Sequence, residues 1–482
     1  METLTQTIKR LSEADYKALL EDISTNKFSK PYIVLESARY KNLNDTQMIE
    51  LLDVNPSTYY TLKSRLNSKV AAILSKKVEN PISVLMDEVT QVPANLYGTN
   101  KQVSIRALKE LEKQLLEYDM SNELIIVYRT LARLYMYSPD FNHYDRLYNK
   151  FVAFSLASSK AENLYYDFII KAGQYELSRT PSELEDMENT LRELLNISEL
   201  YSSHRLFVYF NIVRIYYLFI TAPNADALTQ KEMEIDKTMQ EIKAIFGKYP
   251  LDTFYNNIKF IVDALYFEYY QKINNLVRAR HYYKQIVTDL PELSSHHILN
   301  FHVVRILESK IGLYLATHDD KILKEMNESL NQTLYIDKDE TYNYVAYQKY
   351  MSIVKFYDGE YAVAARILNS LRNTINLKPY WHTEMDCKLF QALQYTLMNE
   401  EDLCLQITNS ISRYVREEKE GYKNIKIFVK LIKASFKSTD LPKKGKKIAV
   451  LWEAFNAKNT GGEAVLSYLQ LDNKLIQMLS DK

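Results

Sequence analysis

The chain has 482 residues, with 61 basic and 61 acidic side chains, and 46% of its residues are hydrophobic. Only 9 residues are glycine, far below the roughly 7% that is usual, so turns that need left-handed backbone are scarce. This shortage argues against β-sandwiches, β-barrels and dinucleotide-binding folds, which use glycine at turns and phosphate loops. The zero net charge excludes the overall positive surface of a protein coated with nucleic acid. The composition therefore predicts an all-α fold.

Residues 1–80 predict a small helical module. A short helix is expected from Asp45 and a longer one over residues 57–76, with Ser57 as the N-terminal cap of the second. The connection over residues 53–56 is too short for anything other than a sharp corner. Two helices joined by such a turn define a helix-turn-helix.

The segment over residues 45–66 resembles the helix-turn-helix of sigma factor region 4 and related bacterial regulators. Ile49, Leu52 and Val54 match the apolar positions that hold the two helices of that family together, and Asp53 replaces its usual turn glycine. By this resemblance, the second helix would face the major groove of DNA. The residues that would then contact bases or phosphates are Thr58, Tyr60, Thr61, Lys63, Ser64 and Lys69.

The local charge is compatible with DNA binding through residues 45–77. Between Lys27 and Lys77 the sequence has nine basic and four acidic residues, a surplus of five positive charges. A surplus of this size can supply a few phosphate contacts in a protein of zero net charge. The alternative is a module that only caps the end of the following helical array.

Prolines recur at a regular interval in the long middle of the chain. Pro139, Pro181 and Pro223 are spaced by 42 residues each, and Pro250 and Pro291 by 41. Proline cannot continue the interior of a helix, so this spacing predicts regular turns between helices. Self-similarity at roughly 20 to 50 residues is typical of a solenoid.

The clearest repeated unit spans residues 347–377. It places Gly359 at a turn, and an aromatic residue and then Ala364 at the start of the following helix. This order resembles the tetratricopeptide repeat. Residues 265–291 are similar, although Asn274 replaces the turn glycine.

These features predict an α-solenoid of stacked antiparallel helical hairpins, with a tetratricopeptide-like superhelix, whose pairs contact only their immediate neighbours. We expect connecting helices at 81–121, lengthened repeats over 122–456 and a C-terminal capping helix at 457–482, with the final helix beginning near residue 463. A generic helical bundle is the alternative.

The preferred interpretation is a non-enzymatic scaffold that binds a protein or peptide on the concave face of this array. The resemblance to the tetratricopeptide family implies such binding, whereas periodicity alone predicts only the shape. Polar residues on the first helices of the clearer repeats are candidates for a peptide-binding wall. They are Asn343, Gln348, Lys355, Gln391 and Gln394.

Two other functions stay open. The first is a transcriptional regulator with an N-terminal DNA-binding helix-turn-helix and a repeat-based sensor domain, a layout that resembles peptide-sensing bacterial regulators. The second is an enzyme within a helical scaffold, which would need a buried, convergent cluster of titratable groups in a pocket.

The sequence contains no pattern for a cofactor, metal or nucleophile. GxxxxGK[ST] and GxSxG do not occur, and His297 and His302 lack the i, i+4 spacing of a helical metal site, so we expect packing roles for them. Cys387 and Cys404, the only two cysteines, are typical of a reducing compartment. The most apolar window, residues 206–222, is shorter than the roughly 20 residues of a membrane span. We therefore expect a cytoplasmic protein without a membrane span, metal or cofactor.

Overall fold

The computed structural model is dominated by α-helices. It describes residues 16, 20, 23, 29–41, 43, 45–77, 81–98, 100–222, 224–250, 252, 254–293, 297–417, 422–436, 441–460 and 464–481. Within these residues there is no strand, so the expected all-α fold is confirmed for them. The chain divides into two compact units, residues 1–91 and 92–482.

The first unit has a small apolar core. Among the described residues, its helices are α1 (Lys30–Tyr40), α2 (Asp45–Leu52) and α3 (Pro56–Lys77), and α4 (Pro81–Gly98) continues past residue 91. Buried side chains of the first three helices form the core, and burying them is what stabilises a module of this size. They include Val34, Leu35, Ala38, Met48, Leu52, Tyr59 and Leu66.

The corner between α2 and α3 is built without glycine. Asp53 has a φ of 46°, the left-handed conformation that favours glycine at the end of a helix. Asn55 caps α3, because its side-chain oxygen accepts a hydrogen bond of 2.8 Å from the backbone N–H of Thr58. The expectation that Ser57 caps this helix is therefore wrong. Pro56 is the first residue of α3, a position where its missing N–H costs no hydrogen bond.

The second unit is a succession of helices in which neighbours along the chain pack together. Its described helices after α4 are α5 (Lys101–Glu117), α6 (Ser121–Leu134), α7 (Phe141–Ser178), α8 (Pro181–Leu200), α9 (His204–Thr221), α10 (Ala225–Thr229), α11 (Glu232–Lys248), α12 (Phe254–Lys272), α13 (Leu276–Leu293), α14 (Asn300–Thr317), α15 (Asp320–Lys324), α16 (Asn327–Thr333), α17 (Thr341–Tyr357), α18 (Tyr361–Thr374), α19 (Trp381–Leu397), α20 (Glu401–Glu417), α21 (Lys423–Ala434), α22 (Leu441–Lys458) and α23 (Asn473–Ser480).

The proline spacing predicts the helix boundaries only in part. Pro139 and Pro250 lie in turns, and Pro181 is the first residue of α8. Pro291 instead lies in the last turn of α13, where a proline removes only one intrahelical hydrogen bond. Pro223 lies outside the described residues.

The chain between Pro139 and Pro181 forms one helix and not a hairpin. Helix α7 has 38 residues and contains no proline and a single glycine, Gly173. It ends at Arg179, whose φ of 56° is left-handed and whose N–H donates to the carbonyl of Tyr175 at 2.7 Å.

The two segments that resemble tetratricopeptide repeats form helical hairpins. Asn274, with a φ of 58°, turns the chain between α12 and α13, and Gly359, with a φ of 80°, turns it between α17 and α18. Asparagine tolerates the left-handed region better than most residues, which explains how it replaces the turn glycine. Ala279 and Ala364 are fully buried in the second helices, where their small side chains allow close packing.

The end of α7 contacts helices that lie far away in sequence. The hydroxyl of Thr383 in α19 donates to the carbonyl of Leu177 at 2.9 Å, across 206 residues. Gly173 lies directly against Tyr342 of α17. The expectation that helical pairs contact only their immediate neighbours is therefore wrong for α7.

The C-terminal region is less helical than expected. The last described helix begins at Asn473 and not near residue 463, with its N-terminus capped by Asp472, which accepts from the N–H of Leu475 at 2.7 Å. Residues 464–472 form an irregular segment, and Leu466 within it has a φ of 54°. In place of the expected capping helix at 457–482, the described residues form the end of α22, this irregular segment and the short helix α23.

Replacing Gly173 with alanine should destabilise the protein by about 1–3 kcal/mol, because α7 or α17 must shift. An added Cβ atom would lie 2.9 Å from the Cβ atom of Tyr342. The matched control is Gly247→Ala in α11, where a new Cβ meets no atom within 4 Å and should stabilise the helix by up to about 1 kcal/mol. Urea unfolding followed by circular dichroism compares the variants. Equal stability of the two variants would contradict the close approach of α7 to α17.

Candidate binding cavity

A cavity of about 340 Å³ lies in the second unit. It is enclosed by the end of α7, by α12, α14, α17 and α19, and by the irregular segment 464–472, which contributes Ser467 and Tyr468. The cavity is rich in charge of both signs. Its acidic and basic lining residues are Glu176, Arg179, Glu268, Lys272, Arg305, Glu308, Lys349 and Asp386.

Charged residues reach the cavity from α12, α14, α17 and α19. Glu268, Glu308, Lys349 and Asp386 follow one another at intervals of 40, 41 and 37 residues. None of them was a candidate in the sequence analysis. The signal that could have found them is a charged residue recurring about every 40 residues.

Arg305 joins the carboxylates of two other helices. Its guanidinium pairs with Glu268 of α12, with Nε donating to Oε2 at 3.0 Å, and its Nη1 lies 3.4 Å from Oε1 of Glu176. Glu176 also pairs with Arg179, and the Nζ of Lys272 lies 3.7 Å from Glu268. Burial alone would raise the pKa of Glu176, but Arg179 and Arg305 lower it below its usual value. The carboxylate of Glu176 therefore stays charged.

Asp386 holds the irregular segment against α19. One of its oxygens accepts from the backbone N–H of Leu466 at 2.7 Å, and the other from the hydroxyl of Tyr468 at 3.0 Å. The Nζ of Lys349 lies 2.6 Å from the second oxygen. Burial opposes ionisation of Asp386, but Lys349 and these hydrogen bonds lower its pKa below the usual value. Asp386 thus has a structural role, because it fixes the irregular segment that forms part of the cavity wall.

Glu308 differs from the other cavity carboxylates. Its side chain is exposed to the cavity, and the hydroxyl of Tyr342 donates to Oε2 at a long 3.4 Å. Within the described part of the chain, no lysine or arginine nitrogen forms an ion pair with it at 4 Å or less. Its pKa lies above the usual value, and burial is the main cause of that rise.

The expected peptide-binding wall is not part of the cavity lining. Gln391 and Gln394 are buried, with exposed fractions of 1% and 0%, and they bond to Arg372 and Ser352 of neighbouring helices. They cannot form an accessible wall in this packing. Among the described residues, the lining on α17 comes from a different face than the candidates on that helix.

Two of the three candidates on α17 have partners nearby in sequence. Asn343 donates to Glu340 at 2.8 Å, and Lys355 pairs with Glu360 at 2.9 Å across the turn that follows its helix. Gln348 is half-buried. These three side chains are therefore near the cavity in sequence but do not contribute to its lining.

The DNA-contact candidates lie on one helix of the first unit. Lys63 pairs with Asp45 at 2.7 Å, which ties α3 to the start of α2. Lys69 lies within α3, but its side chain is outside the described residues. The remaining candidates are exposed on α3: Thr58, Tyr60, Thr61 and Ser64.

His302 is buried on α14, one turn before Arg305. Its Nε2 lies 2.9 Å from the hydroxyl of Tyr165, and its Nδ1 lies 2.6 Å from the hydroxyl of Tyr216. A neutral imidazole has one donor and one acceptor, which matches these two partners. Burial, with a contribution from Arg305, lowers the pKa of His302 to about 3. The imidazole is therefore neutral at ordinary pH.

The sequence matches no family model, no curated protein and no solved structure. In the described ranges, no three histidine, cysteine or acidic side chains come together as metal ligands. No described helix combines the length and apolarity that crossing a membrane requires.

Acid should destabilise the protein partly through His302. Because its folded pKa of about 3 lies below the ordinary value near 6.5, the unfolded chain binds the proton first as the pH falls. The stability contributed by the neutral form is complete above about pH 6.5. It is lost between about pH 6.5 and 3, by up to about 1.4 kcal/mol per pH unit.

Urea unfolding of the wild type and of His302→Gln at about pH 7 and about pH 5 measures this effect. Glutamine also offers a donor and an acceptor but does not titrate, so the variant should lose less stability between the two pH values. An equal loss in both proteins would rule out the buried, neutral imidazole.

Proposed function

We propose that the second unit is a non-enzymatic helical-repeat scaffold that binds a protein or peptide segment, with the cavity at the centre of its binding face. The observation that carries this proposal is accessible charge of both signs in one cavity. Glu308 is exposed, and Lys349 and Arg179 keep 26% and 23% of their side chains accessible. Peptides bring charged side chains and polar amides, so such a lining is suited to them.

A tetratricopeptide-like solenoid is the scaffold in this proposal. Packing of α12 with α13, α17 with α18 and α19 with α20 as successive pairs supports it. In each pair the first helix contributes a charged residue to the cavity: Glu268, Lys349 and Asp386. A concave face lined by first helices is how such arrays present many weak contacts to an extended ligand.

The cavity volume limits what can be held. At about 340 Å³ the cavity is at the lower end of the range of roughly 300–1,000 Å³ that is usual for small-ligand sites. It therefore suits one or two side chains of a bound segment and not a folded partner. The rest of the ligand would lie along the neighbouring helices.

The ion pairs of the acidic cavity residues favour a binding function over catalysis. Convergent titratable groups in a pocket are also what an enzyme needs. Here Glu176, Glu268 and Asp386 are each paired with an arginine or lysine. The described hydrogen bond of Glu308 comes from Tyr342, so no acid–base pair with a nucleophile supports an enzymatic role.

Selection from a phage-displayed library of random peptides tests the proposal. Ser467 is exposed and lines the cavity, so Ser467→Trp should fill the space without disturbing the helices. Peptides selected on the wild type should bind this variant at least tenfold more weakly and should still bind the control Ser467→Ala. No enrichment on the wild type, or equal binding to the tryptophan variant, would refute the proposal.

A second candidate function is that of a transcriptional regulator in which the first unit binds DNA. Its support is the corner at Asp53, whose left-handed backbone allows the tight turn of a helix-turn-helix, and the exposed polar face of α3. The repeats would then act as the sensor domain.

Fluorescence anisotropy of the full chain with random duplex DNA tests this function. Binding should weaken steeply with salt, since it depends on phosphate contacts. Thr61→Glu on the exposed face of α3 should reduce affinity several-fold through repulsion of phosphates, whereas Thr90→Glu, exposed on α4, should not. Absence of binding, or binding that does not depend on salt, removes this function.

A further inference from the structure

We infer that the cavity receives an arginine or lysine side chain of the bound peptide, with its positive charge against the carboxylate of Glu308. The inference rests on the proposed function, since it requires a peptide in the cavity. It adds the chemical class of the group that is recognised there.

One acidic side chain of the cavity has no ion-pair partner among the described residues and can therefore pair with a ligand. Four carboxylates line the cavity, and three of them have a cation within 4 Å in the described structure. Glu308 is the fourth. An anionic ligand would have to compete for cations that are already paired, such as Lys349, which lies 2.6 Å from Asp386. A cationic ligand meets Glu308 without breaking any of these pairs.

The surroundings of Glu308 suit a cation. The ring of Tyr342 lines the same cavity, and an aromatic face beside a carboxylate is a favourable place for guanidinium or ammonium. The hydrogen bond from the Tyr342 hydroxyl is long, at 3.4 Å, and it occupies only one of the carboxylate oxygens. The other oxygen can therefore accept a charge-assisted hydrogen bond from the ligand.

The electrostatics at Glu308 also favour a cationic ligand. Burial raises the pKa of Glu308, Arg305 and Lys349 lower it, and Glu176 and Glu268 raise it again. A bound cation supplies the opposite charge that this carboxylate lacks and so stabilises its ionised form. A charge-assisted hydrogen bond between the bound cation and this carboxylate is therefore a source of affinity.

Two blocked tripeptides test the inference: acetyl-Ala-Arg-Ala-amide and its counterpart with citrulline in place of arginine. Citrulline has nearly the shape of arginine but no charge, and the blocked ends remove other charges. By isothermal titration calorimetry, the wild type should bind the arginine probe at least tenfold more tightly than the citrulline probe. Glu308→Gln should abolish this preference. The control Glu241→Gln, exposed on α11 away from the cavity, should keep it.

Failure of the inference can be told apart from failure of the proposed function. If the peptides selected on the wild type bind Glu308→Gln as tightly, or if the arginine probe is not preferred or does not bind, the inference is overturned while the cavity remains a peptide site. If ethylguanidinium alone binds as tightly as the arginine probe, the ligand is a small free cation and not a peptide. If no peptide is selected at all, the proposed function itself fails.

Discussion

A guanidinium buried between two carboxylates sets the geometry of the second unit. Arg305 of α14 is paired at once with Glu268 of α12 and with Glu176 near the end of α7, and all three side chains are largely removed from solvent. Breaking one partner of such a group leaves an uncompensated charge in the interior, which typically costs about 3–5 kcal/mol. The three helices must therefore stay together. Their arrangement fixes the wall from which Glu308 reaches the cavity.

The length of α7 adds a second constraint. An ordinary hairpin would have turned back before reaching the cavity, whereas 38 uninterrupted residues carry the helix to α17 and α19. Gly173 allows the backbones to approach, and the hydrogen bond from Thr383 to Leu177 completes the contact. These contacts of α7 narrow the surface into an enclosed cavity. In an open array of hairpins the same surface would be broad and shallow. This explains why buried ion pairs collect there.

Several features of the fold could be predicted from the sequence because their causes are local. The glycine shortage predicted helices, and Gly359 marked a turn because its backbone needs the left-handed region. The orientation of α19 about its own axis could not be predicted, because this helix is buried on nearly all sides. It has no polar stripe that would show which side faces solvent. The contacts of Glu176 could not be predicted either, because its partner at Arg305 lies 129 residues away.

The irregular segment after α22 has a consequence for how the molecule assembles. Hairpins such as α17 with α18 form from contacts between residues close in sequence, and such contacts are made early. The cavity lining instead brings together Glu176 and Ser467, which are 291 residues apart in the chain. Closing so long a loop costs chain entropy before the contacts that it allows can stabilise the structure. Secondary structure therefore forms before the cavity does, and a partly folded chain would have the circular dichroism of a helical protein but no cavity.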